Sequence, residues 1–328
     1  MINYFLTSSR KFSEIKKEEI KEKLKKKSNF LWINVEKPSE EEAQFIKELL
    51  DLHPTTYEDI LSDQTRMKYE EFEEYTLIVL KSILEVKENG VETDNISIVL
   101  GKNYVLTLTI NKNNVVKDLT NNKKKIEALL KKGPDDVAHY ILDKEVDEYL
   151  TARTNCAEDL KDIEKEFMEE QDKKILKKLF AKEVLFIELR HSSESLVSLC
   201  LKLIKPTENY IKAELIPHFR DVYDHAVRTA DGYKKMLERI DSLNNMYMSI
   251  NSLKTNETMK TLTIIMALLL PLTIITGFYG MNVHLPFQEN NQAYLGILFA
   301  MFLSSVIMVY LSIKQGWIAR IKIKSLSE

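Results

Sequence analysis

Two long runs without a charged residue lie close to the end of this 328-residue chain. Residues 261–288 and 290–313 contain no Lys, Arg, Asp or Glu. A helix needs about 20 apolar residues to cross a hydrocarbon layer about 30 Å thick, and a signal peptide would be shorter and N-terminal. The chain is therefore predicted to be a membrane protein with a large soluble N-terminal part. The predicted spans are about 261–280 and 293–313.

The charges that flank the two runs predict the orientation of the chain. The loop between them, 281–292, has no Lys or Arg, whereas Lys254 and Lys260 precede the first span and four basic residues lie in the tail, 314–328. Cytoplasmic flanks are rich in Lys and Arg. We therefore expect a multi-pass protein of the cell membrane with the loop outside and both termini in the cytoplasm. Two spans are too few to surround a water-filled path, so transport would require several subunits.

The overall composition excludes several other classes of protein. The 47 basic and 50 acidic residues nearly balance at a net charge of −3, so no positive field points to nucleic acid. The two cysteines, Cys156 and Cys200, are too few for a disulfide framework or a zinc knuckle. No nucleotide-binding or hydrolase motif occurs, and the six histidines form no catalytic constellation. We therefore expect neither an enzyme nor an organic cofactor.

Residues 1–133 are predicted to form an α/β domain in the cytosol. The first 27 residues are dense in lysine and are interpreted as a solvated helix. Ser39, which precedes acids and a periodic apolar face, is typical of a helix N-cap. Four segments rich in β-branched, aromatic and other apolar residues predict strands: 30–36, 75–86, 96–100 and 104–110.

Residues 134–205 are predicted to form a hairpin of two long helices, roughly 134–171 and 173–204. Pro134 fits the first turn of a helix, and no further proline occurs before Pro206. Within 143–172 there are 12 acids and 4 bases, a net charge of −8. Two interpretations stay open: a solvated helix face, or a negative field that concentrates cations near a pore mouth.

Residues 206–260 are predicted to form a stalk helix that begins near Glu208, passes Pro217 and continues into the first span. The 60 residues of 218–277 would measure about 90 Å as one helix. The membrane domain follows as 261–328. The predicted fold class is an α+β membrane protein with an N-terminal α/β cytosolic domain, an acidic long-helix hairpin, and a long stalk helix that continues into the first of two C-terminal transmembrane helices.

One face of this helix combines an amide, hydroxyls and apolar groups but holds no carboxylate. At 100° per residue it contains Asn256, Met259, Leu262, Thr263, Met266, Leu270, Thr273 and Gly277. A small divalent cation without its water would require close oxygen ligands and a costly dehydration, so this face suits a cation that keeps its water. Met259, Leu262 and Leu270 would form a narrow apolar neck that closes by dewetting. The alternative is that the face only packs against another helix.

The loop after the first span opens with Tyr279-Gly280-Met281-Asn282, and Asn282 lies 26 residues after Asn256. This tetrapeptide at the end of the penultimate membrane helix resembles the signature of the CorA family of magnesium channels. The family is also similar in the segment 217–225, which reads Pro-His-Phe-Arg-Asp-Val-Tyr-Asp-His. A weaker similarity covers His53-Pro54 and the following Glu58-Asp59-Ile60.

The resemblance implies a homopentamer in the lipid bilayer that passes Mg²⁺, and also Co²⁺ and Ni²⁺, into the cell down the membrane potential. It further implies gating by cytosolic Mg²⁺ bound between subunits. One branch of the family is associated with zinc, so a zinc transporter stays an alternative. A non-conducting, membrane-anchored helical scaffold is the alternative from another class of protein.

The resemblance also assigns roles to single residues. Gly280, Met281 and Asn282 would form the selectivity filter, where a ring of Asn carbonyls accepts hydrogen bonds from the waters of the cation. Asp221 matches an aspartate that helps to bind a regulatory divalent ion, and Glu88 is the candidate for the opposing ligand. His218 and His225 share a helix face with Asp221; a solvated face is the alternative interpretation of these three residues. The outer loop lacks the Met-Pro-Glu-Leu of many members; its single acid, Glu289, is the candidate for attracting cations.

Overall fold

The computed structural model describes residues 2–8, 11–87, 90–111, 113–169, 172–205, 210–282 and 293–315. The chain divides into two compact units, Met1–Leu243 and Asn244–Glu328. The first unit contains a mixed sheet with helices on both faces, and most of the long helices. The second contains the two apolar helices.

Seven strands form one sheet within the described residues, in the order β2-β1-β3-β7-β6-β5-β4. Their bounds are β1 Ile2–Ser8, β2 Lys11–Glu14, β3 Asn29–Glu36, β4 Lys68–Glu71, β5 Tyr75–Lys87, β6 Gly90–Gly101 and β7 Tyr104–Thr109. The central pair, β3 and β7, is parallel, and the other pairs are antiparallel. The four predicted strands are all present, and β6 begins six residues earlier than predicted.

The predicted N-terminal helix is wrong. Residues 2–8 form β1, which pairs with β3 and is buried at Tyr4, Phe5 and Leu6. The lysines are concentrated in 16–27, where the structure has a 3₁₀ turn at Lys17–Glu19 and the short helix α1, Ile20–Leu24. The prediction took the first 27 residues as one lysine-rich segment. The run of aromatic and β-branched residues at 2–8, which precedes the first lysine, favours a strand instead.

The sheet is covered on both faces because its side chains alternate along each strand. On β3, Trp32 belongs to the core on one face, whereas Leu31 and Ile33 belong to the core on the other. The helices that follow are α2 Glu40–Leu50, α3 Pro54–Leu61, α4 Asn114–Asn121 and α5 Lys123–Leu130. The N-cap predicted at Ser39 is confirmed as a capping box, in which Ser39 Oγ accepts from Glu42 N–H at 3.2 Å and Glu42 Oε2 accepts from Ser39 N–H at 3.0 Å.

The predicted hairpin is present as α6, Pro134–Glu169, and α7, Lys173–Leu203. Some of the acids of α6 form ion pairs with lysines of α7. Lys178 Nζ lies 2.6 Å from Glu166 Oε2, and Lys182 Nζ lies 2.5 Å from Asp159 Oδ2. These pairs weaken the negative field that the count of charges alone would give.

The start of α6 is fixed by an ion pair between a buried carboxylate and a half-exposed lysine. Asp135 is 1% exposed; its Oδ1 accepts from Lys212 Nζ at 2.8 Å and its Oδ2 from the Lys212 backbone N–H at 3.1 Å. These bonds tie the first turn of α6 to the segment that leads into the next long helix. Lys212 is 44% exposed at its side chain, so it stays solvated if its partner is removed.

We expect Asp135→Ala to lower the Tm of the purified protein by about 4 °C, since losing the two hydrogen bonds of this buried carboxylate costs about 2 kcal/mol. Thermal unfolding followed by circular dichroism measures the change. Asp118→Ala, at an exposed position of α4, is the matched control and should leave Tm within about 1 °C. Equal values of Tm for the two variants would show that the pair with Lys212 does not stabilise the fold.

The stalk helix begins later than predicted. Residues 206–209, including Glu208, lie outside the described residues, and 210–212 are not helical. A 3₁₀ turn at Ala213–Leu215 leads into α8, Ile216–Tyr279, which has Pro217 in its first turn. Proline is tolerated there because its missing N–H would have no intrahelical partner. The last described helix is α9, Ala293–Lys314. The predicted fold class is confirmed.

Candidate functional site

The two apolar helices have the length and composition to cross a membrane. They lie within Ala213–Tyr279 and Tyr294–Lys314, with mean hydropathies of 2.1 and 2.2 over their most apolar windows. Those windows are 0% and 6% buried inside the chain. Such apolar surface is stable only if lipid or other protein covers it.

One side of the apolar part of α8 is more covered than the rest. Its half-buried residues follow a helical spacing: Ile264, Ala267, Leu268, Pro271, Leu272 and Ile275. At 100° per residue, this side is centred roughly opposite the carboxylate-free face predicted from the sequence. All eight residues of that predicted face are exposed, with Met259 56%, Met266 54% and Leu270 61% exposed. Packing within one chain therefore does not use the predicted face.

The two threonines of this face use their hydroxyl protons inside the helix, which leaves their oxygen atoms free to accept hydrogen bonds. Thr263 Oγ1 donates to the Met259 carbonyl at 2.8 Å, and Thr273 Oγ1 donates to the Leu269 carbonyl at 3.0 Å. A hydroxyl whose proton is used in this way can only accept further hydrogen bonds. Acceptors suit the water O–H groups that surround a hydrated cation.

The predicted filter residues lie at the C-terminal end of α8. Gly280 N–H donates to the Thr276 carbonyl at 2.9 Å, and the exposed Met281 and Asn282 follow the last turn. Positive φ does not explain the glycine, because among the described residues it occurs only at Lys37, Asp51 and Gly90. A methyl group added at Gly280 would lie 3.0 Å from the carbonyl oxygen of Thr276, one turn earlier in the chain, which is a tight contact.

Asp221 lies on the first part of α8 with its side chain 66% exposed. The nearest histidine is His225, whose Nε2 is 3.9 Å from Asp221 Oδ1. His218, which shares the predicted face, packs edge-on against His139 with ring centroids 5.7 Å apart. Within the described part of the chain, no group of three or more His, Cys, Asp or Glu side chains is arranged to hold a metal ion. Asp221 would therefore need a ligand from outside its own described surroundings.

Glu88 and Glu289, the two acids offered as further cation ligands, lie outside the described residues. Nothing in the structure bears on their roles. Glu88 would follow β5, which ends at Lys87, and Glu289 would lie between α8 and α9.

The sequence analysis did not identify Glu145 of α6 as a buried acid. It is 0% exposed on α6, and burial raises its pKa to about 7. Ile141, Leu142, Val146 and Tyr149 surround it on the same stripe and are all buried. The spacing i−4, i−3, i+1 and i+4 is the signal that could have identified it as an acid on an apolar helix face.

A sheet domain, a long helix that ends in an apolar span, and a second apolar span define an integral membrane protein with a large soluble part. Residues 27–314 match the family model described as "CorA-like Mg2+ transporter protein". The chain belongs to the CorA family, a family of transporters and not of enzymes.

Relatives and solved structures agree with this assignment. The chain is 31% identical over 322 residues to the cobalt/magnesium transport protein CorA of Thermotoga maritima, covering 97% of this chain and 92% of that protein. The complete structure of the CorA magnesium transporter from Methanocaldococcus jannaschii matches with a TM-score of 0.81 at 20% identity, covering 97% of this chain and 99% of that one. The full-length CmaX structure matches with a TM-score of 0.72 at 17% identity, covering 94% and 97%. At these identities the two structures show the shared fold alone.

Proposed function

We propose that this protein is a homopentameric channel that carries hydrated Mg²⁺, and also Co²⁺ and Ni²⁺, into the cytosol down the membrane potential. In this proposal the parts are a cytosolic α/β domain (1–133), an acidic hairpin (134–205), a stalk (206–260) and a membrane domain (261–328). Both termini lie in the cytoplasm. Gly280, Met281 and Asn282 form the selectivity filter at the outer end of the pore.

The observation that carries the proposal is the exposed, carboxylate-free face of α8. It runs from Asn256 to Gly277 on the side that the chain itself leaves uncovered, and it leads to Asn282. A face of hydroxyl acceptors, one amide and apolar side chains is not suited to lipid along its whole length. Copies of the chain around an axis would place it on a central path, where the acceptors of Thr263 and Thr273 contact water.

The choice of ions rests on chemistry and on the relatives. Mg²⁺ loses its water reluctantly and prefers oxygen ligands, and the face presents no carboxylate to replace that water. The T. maritima relative is named as a cobalt/magnesium transport protein. Carbonyl and hydroxyl oxygens that contact the water shell would accept Co²⁺ and Ni²⁺ as well, because hydrated divalent ions present similar outer surfaces.

Flux into proteoliposomes that contain the purified full-length protein tests the proposal. We expect uptake of Mg²⁺ and Co²⁺ that follows an imposed potential, negative inside, without ATP. Uptake of Zn²⁺ with no uptake of Mg²⁺ would favour the zinc alternative. No flux of any of these ions from an assembled oligomer would favour the non-conducting scaffold.

Regulation by cytosolic Mg²⁺ is the second part of the proposal. Asp221 is exposed and has no metal-binding cluster within its own described chain, so a ligand from an adjacent subunit would complete the site. Ions bound there hold the cytosolic domains together, and their loss lets unneutralised acids repel and move the stalks. Sites with few carboxylates bind weakly, with Kd of roughly 10⁻⁴–10⁻³ M, which suits a sensor of cellular Mg²⁺.

We expect Asp221→Ala to weaken inhibition of the current by cytosolic Mg²⁺, because it removes the ligand without replacing its charge. Asp221→Lys should reduce the dependence on Mg²⁺, because a fixed cation then takes the place of the ion. Patch-clamp inhibition curves measure both effects. Asp231→Ala, at an exposed position ten residues further along α8, is the matched control. If the curves of both Asp221 variants overlay the wild type, Asp221 is a solvated helix residue.

A further inference from the structure

Glu145 is an acid enclosed at the junction of three elements. Its side chain is 0% exposed. Oε1 accepts from Asn113 Nδ2 at 3.0 Å, and the Ser82 hydroxyl acts on the same carboxyl. Among the residues that the structure describes, none is in hydrogen-bonding position to the buried Oε2. A buried polar atom without a partner is costly, and a buried charge without a counter-ion is more so.

The junction attaches α6 to the sheet. Asn113 also donates through Nδ2 to Ser82 Oγ on β5 at 2.9 Å, and its Oδ1 accepts from Val116 N–H at 2.8 Å as the N-cap of α4. One turn further along α6, Tyr149 donates to the Lys81 carbonyl of β5 at 2.9 Å. The state of Glu145 therefore bears on how α6, β5 and α4 are held together.

The charged groups around Glu145 do not compensate it. From β6 it faces Asp94, which is 3% exposed and accepts hydrogen bonds from both nitrogens of Asn111. From its own helix it faces Glu148 and Tyr149, and from β5 and α4 the neutral Ser82 and Asn113. The side chains that act most strongly on the Glu145 carboxyl are Ser82, Asn113, Glu148 and Asp94, and none of these four is basic. Burial, followed by Glu148 and Asp94, raises its pKa to about 7 against the lowering effect of Ser82 and Asn113.

We propose that Glu145 is a proton-binding site that links the attachment of the acidic hairpin to pH. The neutral carboxyl stabilises the packing of α6 on the sheet. Protonation removes the buried charge and gives the carboxyl an O–H group that can donate a hydrogen bond. The carboxylate loosens the junction with β5 and α4. A rise in pH on the side of the membrane that holds this domain therefore weakens the base of the hairpin.

The direction of the effect follows from proton linkage. The folded state keeps its proton up to a pH of about 7, whereas the unfolded chain releases it near its ordinary value of 4.5. Between these values the folded state binds more protons, so the stability falls as the pH rises. The contribution is complete below about pH 4.5 and lost above about pH 7.

Thermal unfolding of the full-length protein in detergent, from pH 5 to pH 8, tests the proposal with Glu145→Gln. The amide keeps the shape and donor capacity of the neutral acid, so this variant should be insensitive to the titration. We expect the wild-type Tm to fall by about 5 °C more than that of Glu145→Gln over this range. Glu158→Gln, at an exposed position further along α6, is the matched control and should follow the wild type. Identical profiles for wild type and Glu145→Gln would overturn the proposal.

Infrared difference spectra of the wild type provide a readout that does not depend on a variant. A protonated buried carboxyl has a carbonyl stretch that a carboxylate lacks, and we expect this band to disappear as the pH rises from 6 to 8. Absence of the band at pH 6 would overturn the proposal. Neither experiment requires conduction, so the result stands apart from the test of ion transport.

Discussion

Asn282→Ala is expected to reduce Mg²⁺ uptake to the background of empty vesicles while leaving the assembled oligomer intact. Asn282 follows the last turn of α8 and is exposed, so its loss leaves no cavity. The substitution removes one side-chain carbonyl per subunit from the mouth of the path, and with it the acceptors that would replace bulk water around a hydrated cation. Uptake into proteoliposomes measures the effect, and size-exclusion chromatography checks the assembly.

Asn251→Ala is the matched control for this prediction. Asn251 is also an exposed asparagine of α8, but it precedes the apolar span. We expect its uptake to equal that of the wild type. Normal uptake by an intact Asn282→Ala oligomer would exclude Asn282 as the residue that selects the ion, and would move the filter elsewhere on the path.

The long elements could be predicted from the sequence because their signals are local. Each of these signals concerns a single helix. Pro134 marks the start of α6, Ser39 marks the N-cap of α2, and the charge-free runs mark the apolar helices. The continuity of α8 into its apolar part follows from the lack of a break between Pro217 and Pro271. The family resemblance adds the roles of single residues, which no periodicity supplies.

The errors occur where tertiary contacts decide. The first strand was hidden by the lysines that follow it, although Tyr4, Phe5 and Leu6 pack in the sheet.

Glu145 shows the limit of a charge count most clearly. It is one of the 12 acids counted in 143–172 as a possible negative field, yet it contributes nothing to the surface because it is enclosed against β5 and α4. Its spacing along α6 places it among apolar residues. The free-energy cost of burying its carboxyl depends, however, on hydrogen-bond partners that are distant in the sequence. Asn113 and Ser82 come next to it only through the fold of the sheet.

The second large effect is expected for Met259→Asp, which should change the closed state of the proposed channel. Met259 is 56% exposed on the predicted path face of α8, where an apolar ring would stay dry when narrow. One carboxylate from each subunit would wet the neck and attract divalent ions together with their water shell. We expect current at Mg²⁺ concentrations that close the wild type, together with altered selectivity among Mg²⁺, Co²⁺ and Na⁺.

Two controls separate the effect of charge from that of position. Met259→Leu keeps the neck apolar and should close normally. Met248→Asp adds the same charge at a 67% exposed position before the span. Flux through Met259→Asp equal to that of both controls would show that Met259 faces lipid or another helix instead of the ion path.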